Sequence, residues 1–261
     1  MPASCTHAYF GNKVFELLDD EIKQRILPYK SHYMMGLYGP DPLFFYKAYK
    51  RNSINDYGDQ IHSQEAYSFF ERGRTIYQNS SNKDACLAYL CGFMNHFILD
   101  SEVHGYVNEA EKQYHVSHAR IEADLDRAIL VREGLKASST SYTHFIFPIT
   151  DVTDIMAEFL DVDKELMLTT VKHMKLFNNA FHCPNQVKAW FVRNILNALG
   201  LKGIFDMIIT DEEDERCLIA TPKLVHMFDN ATHVAVKNIK DYYDLLETDL
   251  HLSDRLRKNF N

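Results

Sequence analysis

Residues 85–100, Ala85-Cys86-Leu87-Ala88-Tyr89-Leu90-Cys91-Gly92-Phe93-Met94-Asn95-His96-Phe97-Ile98-Leu99-Asp100, are apolar on every side of any helix drawn through them. That is the pattern of a helix buried all round at the centre of a domain. Ser81-Asn82-Lys83-Asp84 supplies a start like a capping box, with a carboxylate in the favourable first turn. His96, Asp100 and His104 interrupt the oily pattern. Polar groups there are costly unless they are paired, hydrogen-bonded or bound to a metal.

Four residues advance a helix by about 6 Å and slightly more than one turn, so His96 and Asp100 project from one face and can share one ion. His104 drifts around the axis, toward a neighbouring ion or out of the helix at Gly105. His118 and Glu122 repeat the spacing on the next predicted helix, Ser117 to Glu133, which Gly134 stops. Either pair alone reads as a core histidine beside a surface acid. Two such pairs in and beside one apolar helix point to metal.

Outward from this centre the chain reads as helical almost throughout. It has 261 residues, 46% hydrophobic, with only 10 Gly and 7 Pro, and shows few alternating runs. The expected class is all-α, as a single domain over 1–261 with the ligands within 1–134 and further helices over 135–261. A first helix is predicted from Thr6 to Lys23, with Tyr9, Phe10, Val14, Leu17 and Leu18 inward, ending before Pro28. Others are predicted over Ser63 to Tyr77, Asp154 to Asn179, Gln186 to Leu199 and Pro222 to Glu247. Ala137 to Thr150 reads as a long surface loop or a lid.

A formal charge of -8 and a pI near 5.9 argue against a protein that clamps nucleic-acid phosphates through its general surface, so no stable nucleic-acid complex is expected. No segment approaches the roughly eighteen apolar residues of a membrane span, and no secretion signal is visible, so a soluble, cytoplasmic chain is expected. Five scattered cysteines without CxxC spacing fit reduced thiols.

Asp41 lies between Pro40 and Pro42, which are expected to hold its short carboxylate in an extended, well-defined turn. His7, at the start of the first helix, and His62, ahead of another, read alone as capping or core histidines. Tyr33, Tyr38, Phe44, Phe45, Tyr46, Tyr49 and Tyr57 crowd this turn. They read as core or rim packing, with an aromatic-lined mouth as the alternative. Arg120 reads as a phosphate contact or as the partner of Asp124 or Asp126.

Thr6-His7, Gly36-Leu37-Tyr38-Gly39-Pro40-Asp41, His62, Gly92-Phe93-Met94-Asn95-His96-Phe97-Ile98-Leu99-Asp100 with His104, and His118-Ala119-Arg120-Ile121-Glu122 together resemble the zinc-dependent phospholipase C family, related to the S1/P1-type nucleases. The resemblance implies an all-helical fold with two or three Zn2+ ions between helices. One ion would lie with Asp41, His62, His96 and Asp100, with Asp100 bridging to another at His7, and a further ion with His104, His118 and Glu122. In secreted relatives an N-terminal Trp completes the site at His7. Here Met1-Pro2 is a pair from which Met can be trimmed, offering a Pro amine instead.

The resemblance further implies metal-dependent phosphodiester hydrolysis with Asp41 as general base, on a small phosphodiester or a phospholipid headgroup. An S1/P1-like nuclease and a catalytically inactive metal-binding interaction module are the alternatives.

Overall fold

A computed structural model describes residues 4–198 and 200–261, and among them every regular element is helical, with no strand. The buried run becomes the axis of the fold. After α1 (Ser4–Leu17), α2 (Asp20–Ile26), α3 (Lys30–Gly36), α4 (Ser53–Ser63) and α5 (Ala66–Asn79), the central α6 runs from Lys83 to Tyr114. The Asn82 side chain caps it, accepting from the Ala85 N–H at 3.3 Å, and every residue from Ala85 to Asp100 is buried. Gly105 does not break it: the helix continues until His115 turns left-handed at φ 52°.

α7 (His118–Arg132), α8 (Thr150–Leu160), α9 (Lys164–Phe181), α10 (Gln186–Ala198) and α11 (Ala220–Leu245) complete the order. The three-and-four spacing of Leu224, Phe228, Ala231, Ala235, Ile239 and Tyr242 gives α11 one apolar stripe, which it lays along α6 and α1. On another side α3 presses against α6. A Cβ at Gly92 would collide with the carbonyl of Tyr33, and one at Gly36 with that of Tyr89, so this pair of glycines lets the two backbones touch. The close approach seats the turn after α3 directly over His96.

Several expected boundaries move, each for a local reason. The predicted first helix is two: Asp20 and Glu21 occupy the favourable first turn of α2, and Leu17 is 48% exposed rather than inward. His62 precedes α5 as expected but also sits in the last turn of an unexpected helix, α4, which Asn52 caps through bonds from the N–H groups of Ile54 and Asn55. The pattern over 154–179 also splits. Asp161 turns left-handed at φ 55°, and the Asp163 side chain caps α9 by accepting from Leu166 N.

Residues 137–150 form two short 3-10 turns held to α9 by Tyr142 OH to Asn178 Oδ1 (2.8 Å) and Thr143 Oγ1 to Asn179 Oδ1 (2.9 Å). Phe145 and Phe147 pack on the core. No helix among the described residues is long and apolar enough to cross a membrane. All five cysteines are free and buried.

Candidate metal centre

Five separate elements carry the polar side chains that the sequence singled out, and the fold brings all eight of them to one cleft or its wall. α1 delivers His7. Its N-terminal turn is tied to α7 by Asp126, whose Oδ1 accepts from Thr6 N (2.7 Å) and Thr6 Oγ1 (2.6 Å). Burial raises the Asp126 carboxyl to about 6 despite these two bonds.

Asp41 starts a 3-10 turn, Asp41–Phe45, rather than an extended one. Pro42 has no N–H to lose there, while Asp41 N bonds Tyr38 O at 2.9 Å and Leu43 N bonds Pro40 O at 3.0 Å. Gly39 is indispensable to this turn. Its φ is +49°, and any Cβ would overlap the His96 imidazole. Asn55 then fastens the turn to α4 through the Leu43 carbonyl at 2.9 Å, which places His62 opposite Asp41.

At the centre, Asp100 is 2% exposed and meets four imidazoles. Its Oδ1 lies 3.2 Å from His7 Nε2. Its Oδ2 lies 3.2 Å from His96 Nε2, 3.8 Å from His104 Nδ1 and 4.0 Å from His62 Nε2. Asp41 Oδ1 is 3.2 Å from His62 Nε2. Glu122 Oε1 is 3.3 Å from His104 Nε2 and 3.2 Å from His118 Nε2. Donor atoms fall within 4.8 Å of one another in three groups: His7, His96 and Asp100; Asp41, His62 and His96; and His104, His118 and Glu122.

The outer faces of the imidazoles explain why these atoms face inward. Gly58 O holds His62 Nδ1 at 2.8 Å, Leu37 O holds His96 Nδ1 at 3.2 Å, and Phe260 O holds His104 Nδ1 at 3.1 Å. A carbonyl accepts from the Nδ1–H tautomer, which leaves the Nε2 lone pair free to bind a cation. The buried His96 Nε2 has no hydrogen-bond partner although an Asp100 oxygen lies close by, so the two converge without being aligned as donor and acceptor. Mixed imidazole and carboxylate donors arranged in this way fit zinc.

Electrostatics keeps the carboxylates charged. Burial alone would raise Asp100, Asp41 and Glu122, but facing histidines outweigh it, and all three are held below the usual carboxylate range. His96, burdened first by burial and helped only partly by Asp100, is lowered to about 4 and stays neutral. His104 is also penalised by burial, but Asp100 and Glu122 raise it to about 9. His62 is likewise penalised by burial yet raised by its bond to Asp41, so without a cation these imidazoles supply the positive charge that the acids demand.

The crowded aromatics pack as core or rim rather than as a lined mouth: Tyr33, Tyr38 and Phe45 are core, Tyr49 is 86% exposed, and among them only Phe44 lines the cleft. Other expectations were not met. Arg120 is buried away from the cleft. It donates to Ile208 O at 3.1 Å and lies 3.9 Å from Asp214, while Asp124 takes Arg127 instead. Residues 137–150 line a different hollow and do not cover this one. Met1 and Pro2, whose amine was expected near His7, lie outside the described residues.

The segment missed by sequence reasoning is the tail. Phe260 is 1% exposed, with its ring 5.4 Å from that of His62 and 5.9 Å from that of His96, and its N–H bonds His62 O at 3.1 Å. A contribution made through main-chain atoms leaves no trace in residue type. The apolar Phe260 between polar neighbours was the only available signal.

The sequence model of the family described as zinc-dependent phospholipase C matches residues 6–173, a range that contains all eight converging side chains. Searches of curated proteins and of solved structures gave no match.

Proposed function

Because the chain belongs to the zinc-dependent phospholipase C family, we propose that it hydrolyses a phosphodiester of phospholipid type, using zinc held between α1, α4, α6, α7 and the turn at Asp41. The observation that carries this reading is the set of three Nδ1-to-carbonyl contacts, which point three Nε2 atoms at three ionised carboxylates. By their groupings, Asp41, His62 and His96 would hold one ion, His7 and Asp100 would contribute to another, since the one free nitrogen of His96 serves a single ion, and His104, His118 and Glu122 would hold a third. Bound zinc lowers the pKa of water toward neutrality and offsets charge on phosphoryl oxygens.

The protein's own contribution is then positional and basic. Asp41, ionised and set at the cleft beside His62, accepts the proton of the attacking water. Asp100, behind it, stays charged and keeps four imidazoles in register. Residues 1–261 act as one domain in this reading, since α11 and Phe260 from the second half complete the packing around α6 and its histidines.

The test is a substrate panel of phosphatidylcholine, a chromogenic phosphodiester and single-stranded DNA, run on zinc-loaded protein and on Asp41→Asn. Turnover of the first two, lost by about 10²-fold or more in Asp41→Asn, supports the assignment. Turnover of DNA alone would indicate a nuclease, and turnover of none a metal-binding module.

A further inference from the structure

Outside the matched range, α10 is the least covered helix of the fold: of its residues only Leu196 is buried. Val187, Trp190, Phe191 and Ile195 are 67%, 60%, 56% and 57% exposed. At 100° per residue these four fall within an arc of about 140°, opposite Leu196, with Lys188 beyond one edge and Arg193 beyond the other. Large apolar side chains flanked by basic ones on an exposed face are the arrangement of a helix lying in a bilayer interface.

Charge is segregated in the same region. From Leu166 to Phe205 the chain has no Asp or Glu but carries Lys172, Lys175, Lys188, Arg193 and Lys202, in a protein of net charge -8. Summed over the rest of the chain acids outnumber bases, so this tract, with Lys188 and Arg193 on α10 itself, is one of the stretches suited to an anionic surface. Contacts also run from α10 toward α7. The Arg193 guanidinium stacks over Phe205 at 4.1 Å, and the neighbouring Asp206 accepts from Ser117 Oγ at 2.7 Å, one residue before His118.

We infer that α10 docks the protein onto the surface of an anionic phospholipid bilayer, with Trp190 and Phe191 inserted among the headgroups and Lys188 and Arg193 facing their phosphates. This rests on the reading of the chain as a hydrolase of phospholipid type, and it adds how the substrate is reached. With no helix able to cross a membrane among the described residues, attachment is peripheral and sensitive to salt.

Trp190 is the chain's only tryptophan, so its fluorescence reports on this face alone. Vesicles of phosphatidylcholine with one third phosphatidylserine should shift its emission to the blue and sediment the full-length protein, and added salt should reverse both effects. Vesicles of phosphatidylcholine alone should do so weakly. Trp190→Ser/Phe191→Ser should lower the vesicle partition coefficient by about tenfold or more, with zinc content and turnover of a soluble chromogenic phosphodiester unchanged.

Absence of any shift and of co-sedimentation would overturn the inference, and equal binding to neutral vesicles would overturn its electrostatic half. A blue shift that grows with protein concentration alone, with dimers in sedimentation velocity, would show a second copy covering the face and would also overturn it. Vesicle binding without turnover of the soluble diester would leave the docking intact and sink only the hydrolase reading.

Discussion

Replacing Phe260 by Ala separates the packing of the cleft from the orientation of its ligands. The ring fills the space between Phe97 (5.1 Å), Phe93 (6.1 Å) and the imidazoles of His62 and His96. A buried Phe→Ala change costs about 3–5 kcal/mol when the neighbours cannot collapse. Here the cheaper response is for the last residues to lift away, because upstream the tail stays held by buried Leu256 and by Arg255 on Glu102 at 2.8 Å. Lifting removes the bond from Phe260 N to His62 O and frees His104 Nδ1. Loss of such an outer partner of a liganding histidine lowers metal affinity by about 10- to 100-fold. Competition with a chromogenic chelator should therefore show one class of zinc weakened by that factor in Phe260→Ala and nearly restored in Phe260→Leu, with a fall in the melting temperature of the metal-free protein in Phe260→Ala. A lowered melting temperature with unchanged zinc affinity would refute the orienting role and leave only a core plug.

Three further outcomes follow from the same geometry. Gly39→Ala sets a Cβ on the His96 ring at a positive φ, and thermal melts should show a loss of about 2 kcal/mol or more together with lower zinc content. In the metal-free protein His104, raised to about 9 from 6.5, contributes stability that is fully present below pH 6.5 and is lost as pH rises through 9. His104→Gln should flatten denaturant-measured stability across that window. Since zinc needs the neutral imidazole, loading at pH 7.5 should release about one proton from His104, read by calorimetry in buffers of different ionisation enthalpy.

The centre of the fold is legible because α6 is extreme: sixteen residues without a solvent face admit only a helix surrounded by others, and any polar side chain in that run needs a reason. His96, Asp100, His118 and Glu122 are found by spacing. His7, Asp41 and His62 are not, since each stands alone in sequence and takes its meaning from partners that only the tertiary structure supplies. α4 escapes notice because Ser53–Ser63 is short and polar, with Gly58 inside it. The break in α8–α9 was written as Asp161-Val162-Asp163, two acids at a helix end and a helix start, but the apolar period runs straight through it. Gly105 misleads in the opposite direction. It looks like a breaker, yet nothing lies within 4 Å of its added Cβ, and the helix tolerates it.

The central claim is that converging imidazole nitrogens and carboxylate oxygens bind zinc at this cleft, and anomalous diffraction at the zinc edge from crystals of zinc-loaded protein addresses it most directly. The expected result is two or three peaks, one about 2.0–2.2 Å from Asp41 and His62 donor atoms and one at the same distance from those of His118 and Glu122. Loaded crystals with no anomalous density between these side chains, or with zinc held only at surface residues, would contradict the account.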